Sequence, residues 1–195
     1  MSMLKRLQAW WKSTEPAPSF ENEPFEKIDK AEITAHRAAV RRFVTEAFSF
    51  VSVDGAEKLK RRVDRVYGVS AEDGIPDASA VLVDALRGNP FTCRPRPFVF
   101  VFDARYVEDT QKVVSAVWAS YGQQGVFEYD ENSESADPLQ MLAKLQEWAQ
   151  ERSYAVLFID TGGDEYVGLF CPVTHVDAMC SQARDIEVAL TLELR

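Results

Sequence analysis

Two aspartates in this chain each close an apolar, β-prone run. Asp103 follows Phe98-Val-Phe-Val-Phe102, and Asp160 follows Tyr154-Ala-Val-Leu-Phe-Ile159, with Asp164 four residues further on. Carboxylates at the carboxyl ends of strands sit where α/β sheets bind ligands. Two of them in one cleft could divide the work of acid and base or hold a cation. Aspartates also end strands for a plainer reason, since they accept bonds from backbone N–H groups in turns. A second constellation is Cys171, His175 and Cys180, a Cys-x3-His-x4-Cys run with Cys93 available as a fourth ligand. The residue types suit zinc, but the spacing is not that of compact zinc motifs. Cys180 falls on the apolar stripe of a helix, where a free thiol is core, and a Cys171–His175 nucleophile lacks an orienting third group. The acidic run from Asp130 to Asp137 lacks the glycine and the terminal glutamate of a calcium loop. No cofactor and no catalytic set is therefore assigned. Asp103, Asp160 and Asp164 stand as carboxylate candidates, and Cys171, His175 and Cys180 as metal candidates.

The segment Phe158-Ile-Asp-Thr-Gly162 resembles the active-site signature of aspartic proteases. That chemistry needs two carboxylates sharing one proton across a twofold axis. This chain carries the signature once, so a homodimer would be required. Gly163 stands where that family carries alanine or serine, and helices on both sides of the motif depart from those nearly all-β enzymes. A hairpin turn accounts for the residues without catalysis: Asp160 bonds local N–H groups, and Gly162 and Gly163 supply positive φ.

The elements that must position these groups follow from periodicity. Residues 3–12 form an amphipathic helix that sets Leu4, Leu7, Trp10 and Trp11 against Lys5, Arg6 and Lys12. So short a helix is marginal alone, which favours docking of Trp10 and Trp11 on a protein surface over peripheral membrane contact by residues 3–12. Residues 13–26, with Pro16, Pro18 and Pro24 among acidic residues, are a linker. A single domain over 27–195 follows, its helical part at 27–90 and its sheet part at 97–195. Three- and four-residue apolar steps predict helices over 29–51 and 56–67, and a third begins at Asp77 or Ser79 and stops at Gly88. The run 98–102, apolar on both faces, predicts an interior strand. Helices over 107–121 and from Pro138 to Ala149 flank a short strand at 125–129. The hairpin 154–172 is followed by a helix capped at Thr174 and a last strand over 186–194, whose residues alternate between an apolar and a wet face. The order is β-α-β-α-β-β-α-β, an α/β (α+β) domain with a mixed sheet covered by helices and preceded by a small helical layer.

Bulk properties narrow the function. With 46% hydrophobic and 27% charged residues the composition is that of an ordinary globular protein. A net charge of −9 argues against a general nucleic-acid binder. The dense basic run Lys58-Leu-Lys-Arg-Arg62 with Arg65 falls on one helical face and reads as solvated charge. An odd cysteine count without a secretory leader fits reduced thiols in the cytoplasm, and no apolar run reaches the length of a transmembrane helix.

The C-terminal half resembles an uncharacterised bacterial domain family whose members carry an apolar strand, Ile-Asp-Thr-x-x-Asp-x-Tyr, a second apolar strand ending near proline, and a closing helix. The carriers here are Leu157-Phe-Ile-Asp-Thr161, Asp164, Tyr166 and Leu169-Phe-Cys-Pro172, and Leu82-Val-Asp-Ala-Leu86 is similar as well. The resemblance spans residues 30–195 and implies no activity. The expectation is a non-catalytic protein-binding or regulatory module, with another protein or a second copy of itself as partner. The alternative is a small-molecule or metal-dependent enzyme using Asp103 and Asp160 at the sheet edge.

Overall fold

From Lys30 onward the apolar residues of the first helix fall at steps of three and four, and this stripe is what it buries. In the computed structural model, which describes residues 30–51, 53–70, 75–103, 109–129 and 137–192, α1 (Lys30–Ala47) buries Val40, Phe43, Val44 and Ala47. Helix α2 (Val53–Ser70) buries Ala56, Leu59, Val63 and Tyr67 along one side. The two are fastened by Arg37 and Arg41 on Asp64, at 2.7 and 3.5 Å, and by a 2.6 Å bond between the Tyr67 hydroxyl and His36 Nδ1. Helix α3 (Ala78–Leu86) is apolar nearly all round and correspondingly buried. Asp77 caps it by accepting from the Ala80 N–H at 2.8 Å.

Beyond α3 the chain folds back on itself. Gly88 lies so close to the backbone of Pro95, Arg96 and Pro97 that no Cβ would fit there. Asn89 N donates to Pro95 O, Cys93 N donates to Asn89 O, and Phe98 N donates to Leu86 O. Residues 88–97 are thus a closed loop whose backbone polar groups are bonded within it and to the end of α3.

Strands β1 (Phe100–Asp103), β2 (Tyr154–Ile159), β3 (Glu165–Pro172) and β4 (Leu190–Thr191) form one sheet in the order β1-β3-β2-β4. Helices α4 (Thr110–Ser120) and α5 (Pro138–Gln150) lie between β1 and β2 in sequence, and α6 (Val176–Arg184) follows β3 through a short 3₁₀ turn. The hairpin occupies the centre, as its doubly apolar strands require. On one face Phe100 and Phe158 both pair with Gly168, and Val156 pairs with Phe170. The Phe100 ring covers the bare Cα of Gly168. Trp118 of α4 and Trp148 of α5 meet Phe170, at 4.9 and 6.2 Å between ring centres.

The α+β class stands, and five details differ from expectation. Every pairing among the described strands is antiparallel, so the sheet is not mixed. The reason is that β3 inserts between β1 and β2, which point the same way without touching. For the same reason β1 is an edge strand, not an interior one. The segment 125–129 is not a strand; exposed Val126 precedes buried Phe127, whose ring packs on Trp148 at 5.7 Å. Among the described residues the last strand is only Leu190–Thr191, because a turn at 185–187 closes α6 with Glu187 at φ 60°; residues 193–195 lie outside them. Ile186 and Val188 are nevertheless buried between exposed Glu187 and Ala189, so the alternation is real while the ladder is short. Thr174 lies within the 3₁₀ turn and bonds the His175 ring instead of capping α6. The N-terminal helix with Trp10 and Trp11, the linker and residues 130–136 lie outside the described residues.

Candidate functional site

Asp103 and Asp160 close β1 and β2 at the same end of the sheet, as parallel strand directions require. Strand β3 lies between them, so their backbones are about 10 Å apart at two interstrand spacings. Strand alternation separates them further. Asp103 follows Phe102 and pairs with Glu165, whereas Asp160 continues the row of Val156 and Phe158, which belongs to the opposite face. Both are exposed, as is Asp164. Asp160 Oδ1 accepts the Gly162 N–H at 3.0 Å, and Gly162 has φ 67°. This is the turn chemistry anticipated at Asp160 and Gly162, whereas Gly163 does not take the positive φ expected of it. The structure therefore places the carboxylates along one edge without gathering them into one cleft.

The cysteine–histidine run is dispersed as well. Cys171 is fully buried on β3, with its Sγ 3.4 Å from Pro172 O. Burial first, and the neighbouring Cys180 thiol second, push its thiol up to about 12. Cys180 is half-buried on α6, and burial raises its pKa too, partly offset by Arg184. His175 is exposed, its ring 5.7 Å from Phe50. All three cysteines are free, and Cys93 sits apart on the surface of the 88–97 loop. Among the described residues no three His, Cys, Asp or Glu side chains come together to hold a metal ion.

The residues that do converge are basic. Lys58, Arg61, Arg62 and Arg65 recur at i, i+3, i+4 and i+7 on the face of α2 opposite its apolar stripe, so they form one patch. The loop 88–97 brings Arg94 and Arg96 to the same place. Together the six cations line a cavity of about 380 Å³, within the range of small-ligand sites. Val51, Pro95 and Phe98 contribute its apolar wall, and Cys93 and Ser120 also reach it. No Asp or Glu is among its described lining. Nor does any described carboxylate form an ion pair with Arg61, Arg65, Arg94 or Arg96.

Arg62 builds this cavity. Its Nη1 donates to Arg96 O at 2.8 Å and to Ala85 O at 3.3 Å, which ties the loop to α2 and satisfies a carbonyl of the last turn of α3. Its guanidinium also stands 5.8 Å from the centre of the Phe98 ring. Burial, and then the charge of Arg65, hold its pKa below the ordinary guanidinium value. Like charges at i,i+4 destabilise a helix by about 0.2–0.5 kcal/mol per pair, and Lys58/Arg62 and Arg61/Arg65 are two such spacings. Glu57 relieves part of this through its contact with Lys60 and its field on Arg61, which keep its own carboxyl below the usual range. The basic run, exposed at Lys58, Arg61 and Arg65 as solvated charge would be, also forms one wall of this cavity. The other wall lies some thirty residues later, and no local pattern links the two.

Compared with known protein families, residues 27–193 match the one described as a domain of unknown function, DUF6630. No curated protein and no solved structure matches the chain.

Proposed function

Since the chain belongs to the DUF6630 family, which carries no reaction across to it, we propose from geometry alone that it is a non-catalytic binding or regulatory module. Its recognition site is the arginine-lined cavity between α2 and the 88–97 loop, and its ligand is an anion. One observation carries this reading: six cations converge on one cavity, in a chain of net charge −9, without a described carboxylate among them. Arg61, Arg65, Arg94 and Arg96 have no described ion-pair partner, and an anion seated among them would offset their mutual repulsion. Arginine is suited to the task because its planar fork bonds oxyanions in pairs.

The test is thermal unfolding of the full chain at low salt with phosphate, phthalate or an acidic peptide added. A saturable rise in Tm with at least one of them, absent in R61Q/R65Q, supports the proposal; no saturable response to any of them refutes it. The same proposal includes a cytoplasmic setting, supported by the three free thiols. Among the described residues no helix is long and apolar enough to cross a membrane. Protein docking through Trp10 and Trp11 is a separate proposal, checked by comparing the partners recovered with and without residues 1–25. The enzymatic alternative rests on Asp103 and Asp160 sharing a sheet edge, and Asp160→Asn tests it: a variant that keeps every ligand response removes Asp160 as a site residue.

A further inference from the structure

The charge density of the cavity narrows the anion. A sphere of 380 Å³ is only about 9 Å across, a volume that takes one small molecule and not a folded surface. Six cations stand around it, from two directions: Lys58, Arg61, Arg62 and Arg65 from α2, Arg94 and Arg96 from the loop. Of these, Arg62 is committed to the Ala85 and Arg96 carbonyls and Lys58 has a partner of its own, which leaves Arg61, Arg65, Arg94 and Arg96 for a ligand. A single carboxylate brings one charge and two oxygens, too little for four guanidinium groups on two walls. A phosphate ester brings about two charges and three acceptor oxygens in the space of one group. It can therefore accept from guanidinium forks on both walls at once. The apolar wall of Val51, Pro95 and Phe98 leaves a place for the organic body that the ester carries.

We infer that the cavity binds a small organic phosphate monoester, with Arg61 and Arg65 on one wall and Arg94 and Arg96 on the other as its phosphate ligands, and Arg62 as the positioning residue that holds the walls together. This rests on the reading of the cavity as an anion site and goes further by naming the class. The shared chemistry is the dianionic phosphoryl group, whatever body it is joined to.

The phosphate has a signature that a carboxylate lacks. A monoester loses its second proton near pH 6, whereas an isolated side-chain carboxylate, as in an acidic peptide, is ionised well below that; phthalate, whose adjacent carboxylates raise the second ionisation, is compared at pH 7.5 only. The described cavity lining holds no histidine and no carboxylate. Glu57, on the same helix, has its carboxyl held low and stays ionised. A change in affinity between pH 5.5 and 7.5 therefore reports the ligand.

Isothermal titration calorimetry of the full chain with phenyl phosphate, and with phthalate as a dicarboxylate of equal charge, makes the test. Phenyl phosphate is expected to bind about tenfold tighter than phthalate at pH 7.5, and to weaken about fivefold at pH 5.5 as it takes up a proton. R61Q/R65Q and R94Q/R96Q are each expected to lose about tenfold or more. Using both pairs guards against one of them failing to fold, which circular dichroism reports. Phthalate binding as tightly as phenyl phosphate, or a pH-independent affinity, overturns the phosphate assignment and leaves the anion site standing. So does a synthetic peptide of residues 13–29, an acidic segment of this same chain, if it binds more tightly than phenyl phosphate. Binding that survives in both double variants, or no binding by any probe, overturns the phosphate assignment and the anion site together.

Discussion

Replacing Arg62 with methionine keeps the unbranched apolar stem but removes the guanidinium, and with it the donor that joins loop to helix and the cation beside the Phe98 ring. Two bonds are lost, to Arg96 O at 2.8 Å and to Ala85 O at 3.3 Å. A bond from a charged donor contributes about 1.5–3 kcal/mol net. Two considerations pull the total down. Arg96 is exposed, so water can serve its carbonyl once the guanidinium is gone. Methionine also escapes the desolvation that depresses the Arg62 pKa. The Ala85 residue is fully buried, and leaving its carbonyl unserved costs about 1–3 kcal/mol. The net expectation is a loss of about 1–2 kcal/mol, or about 2–8 °C in Tm for a domain of this size.

Urea unfolding at neutral pH measures it, with an unchanged m-value as the sign that the folded and denatured states are otherwise alike. Arg62→Lys, which keeps the charge but not the fixed fork, is expected to fall between the two. Arg61→Gln, on the same face and with no hydrogen bond among the described residues, is expected within about 0.5 kcal/mol of the parent. If Arg62→Met is as stable as the parent, the cost of burying the guanidinium equals what its bonds return. The account of Arg62 as the tie between the cavity walls is then wrong.

Gly168→Ala places a Cβ against the Phe100 ring, overlapping its tip and lying 3.0 Å from Cε1. That ring is fully buried, and Phe102, Phe158 and Phe170 confine it. Overpacking of about 1–3 kcal/mol outweighs the gain of about 0.5–1 kcal/mol from replacing glycine in a strand, so a lower urea midpoint is expected. The double variant with Phe100→Leu should recover part of the loss through coupling. Alkaline stability follows from Cys171, whose folded value of about 12 stands above the ordinary 9.0. Below pH 9 the thiol is protonated in both states and its contribution is complete. Between about 9 and 12 only the unfolded chain gives up the proton, so stability falls by up to about 1.4 kcal/mol per pH unit. Denaturation against pH should be shallower across that window in Cys171→Ala, relative to its own stability at pH 8. Thiol alkylation should run in the order Cys93, Cys180, Cys171, following exposed, half-buried and buried positions. Early labelling of Cys171 would contradict its burial.

The legible parts of this fold were those whose signal is local. Three- and four-residue apolar steps located α1 and α2 within a few residues, and Asp77 and Pro138 marked the starts of α3 and α5 because capping is chemistry of adjacent residues. The hairpin was legible because both of its strands are apolar on both faces, which only the middle of a covered sheet accommodates. Strand neighbours were not. The helices between β1 and β2 do carry the chain across to a strand of the same direction, yet β3 takes the place beside β1. Its claim is a nonlocal one, the fit of Gly168 beneath the Phe100 and Phe158 rings. Nothing near Phe100 in sequence announces that its partner is a glycine.

The candidate site divides along the same line. The carboxylates and thiols drew attention because their residue types are rare at functional spacing, and two of them have a contact close by in sequence: Asp160 in its own turn, Cys171 beside Pro172. Among the cations of α2, Arg61 and Arg65 have no described ion-pair partner. Their spacing was visible, but on a lone helix it describes a wet face, and only a second wall turns a face into a cavity. That wall depends on Gly88, whose missing side chain lets the backbone of residues 95–97 return against α3, and on Arg62, which reaches across to hold Arg96. A helix of uncompensated arginines is ordinary solvated charge until a closed loop adds two more and narrows the space between them to one small molecule. The hydrogen bonds that close the loop are therefore what give the cavity its binding geometry, and the stability of Arg62→Met and its affinity for phenyl phosphate should fall together.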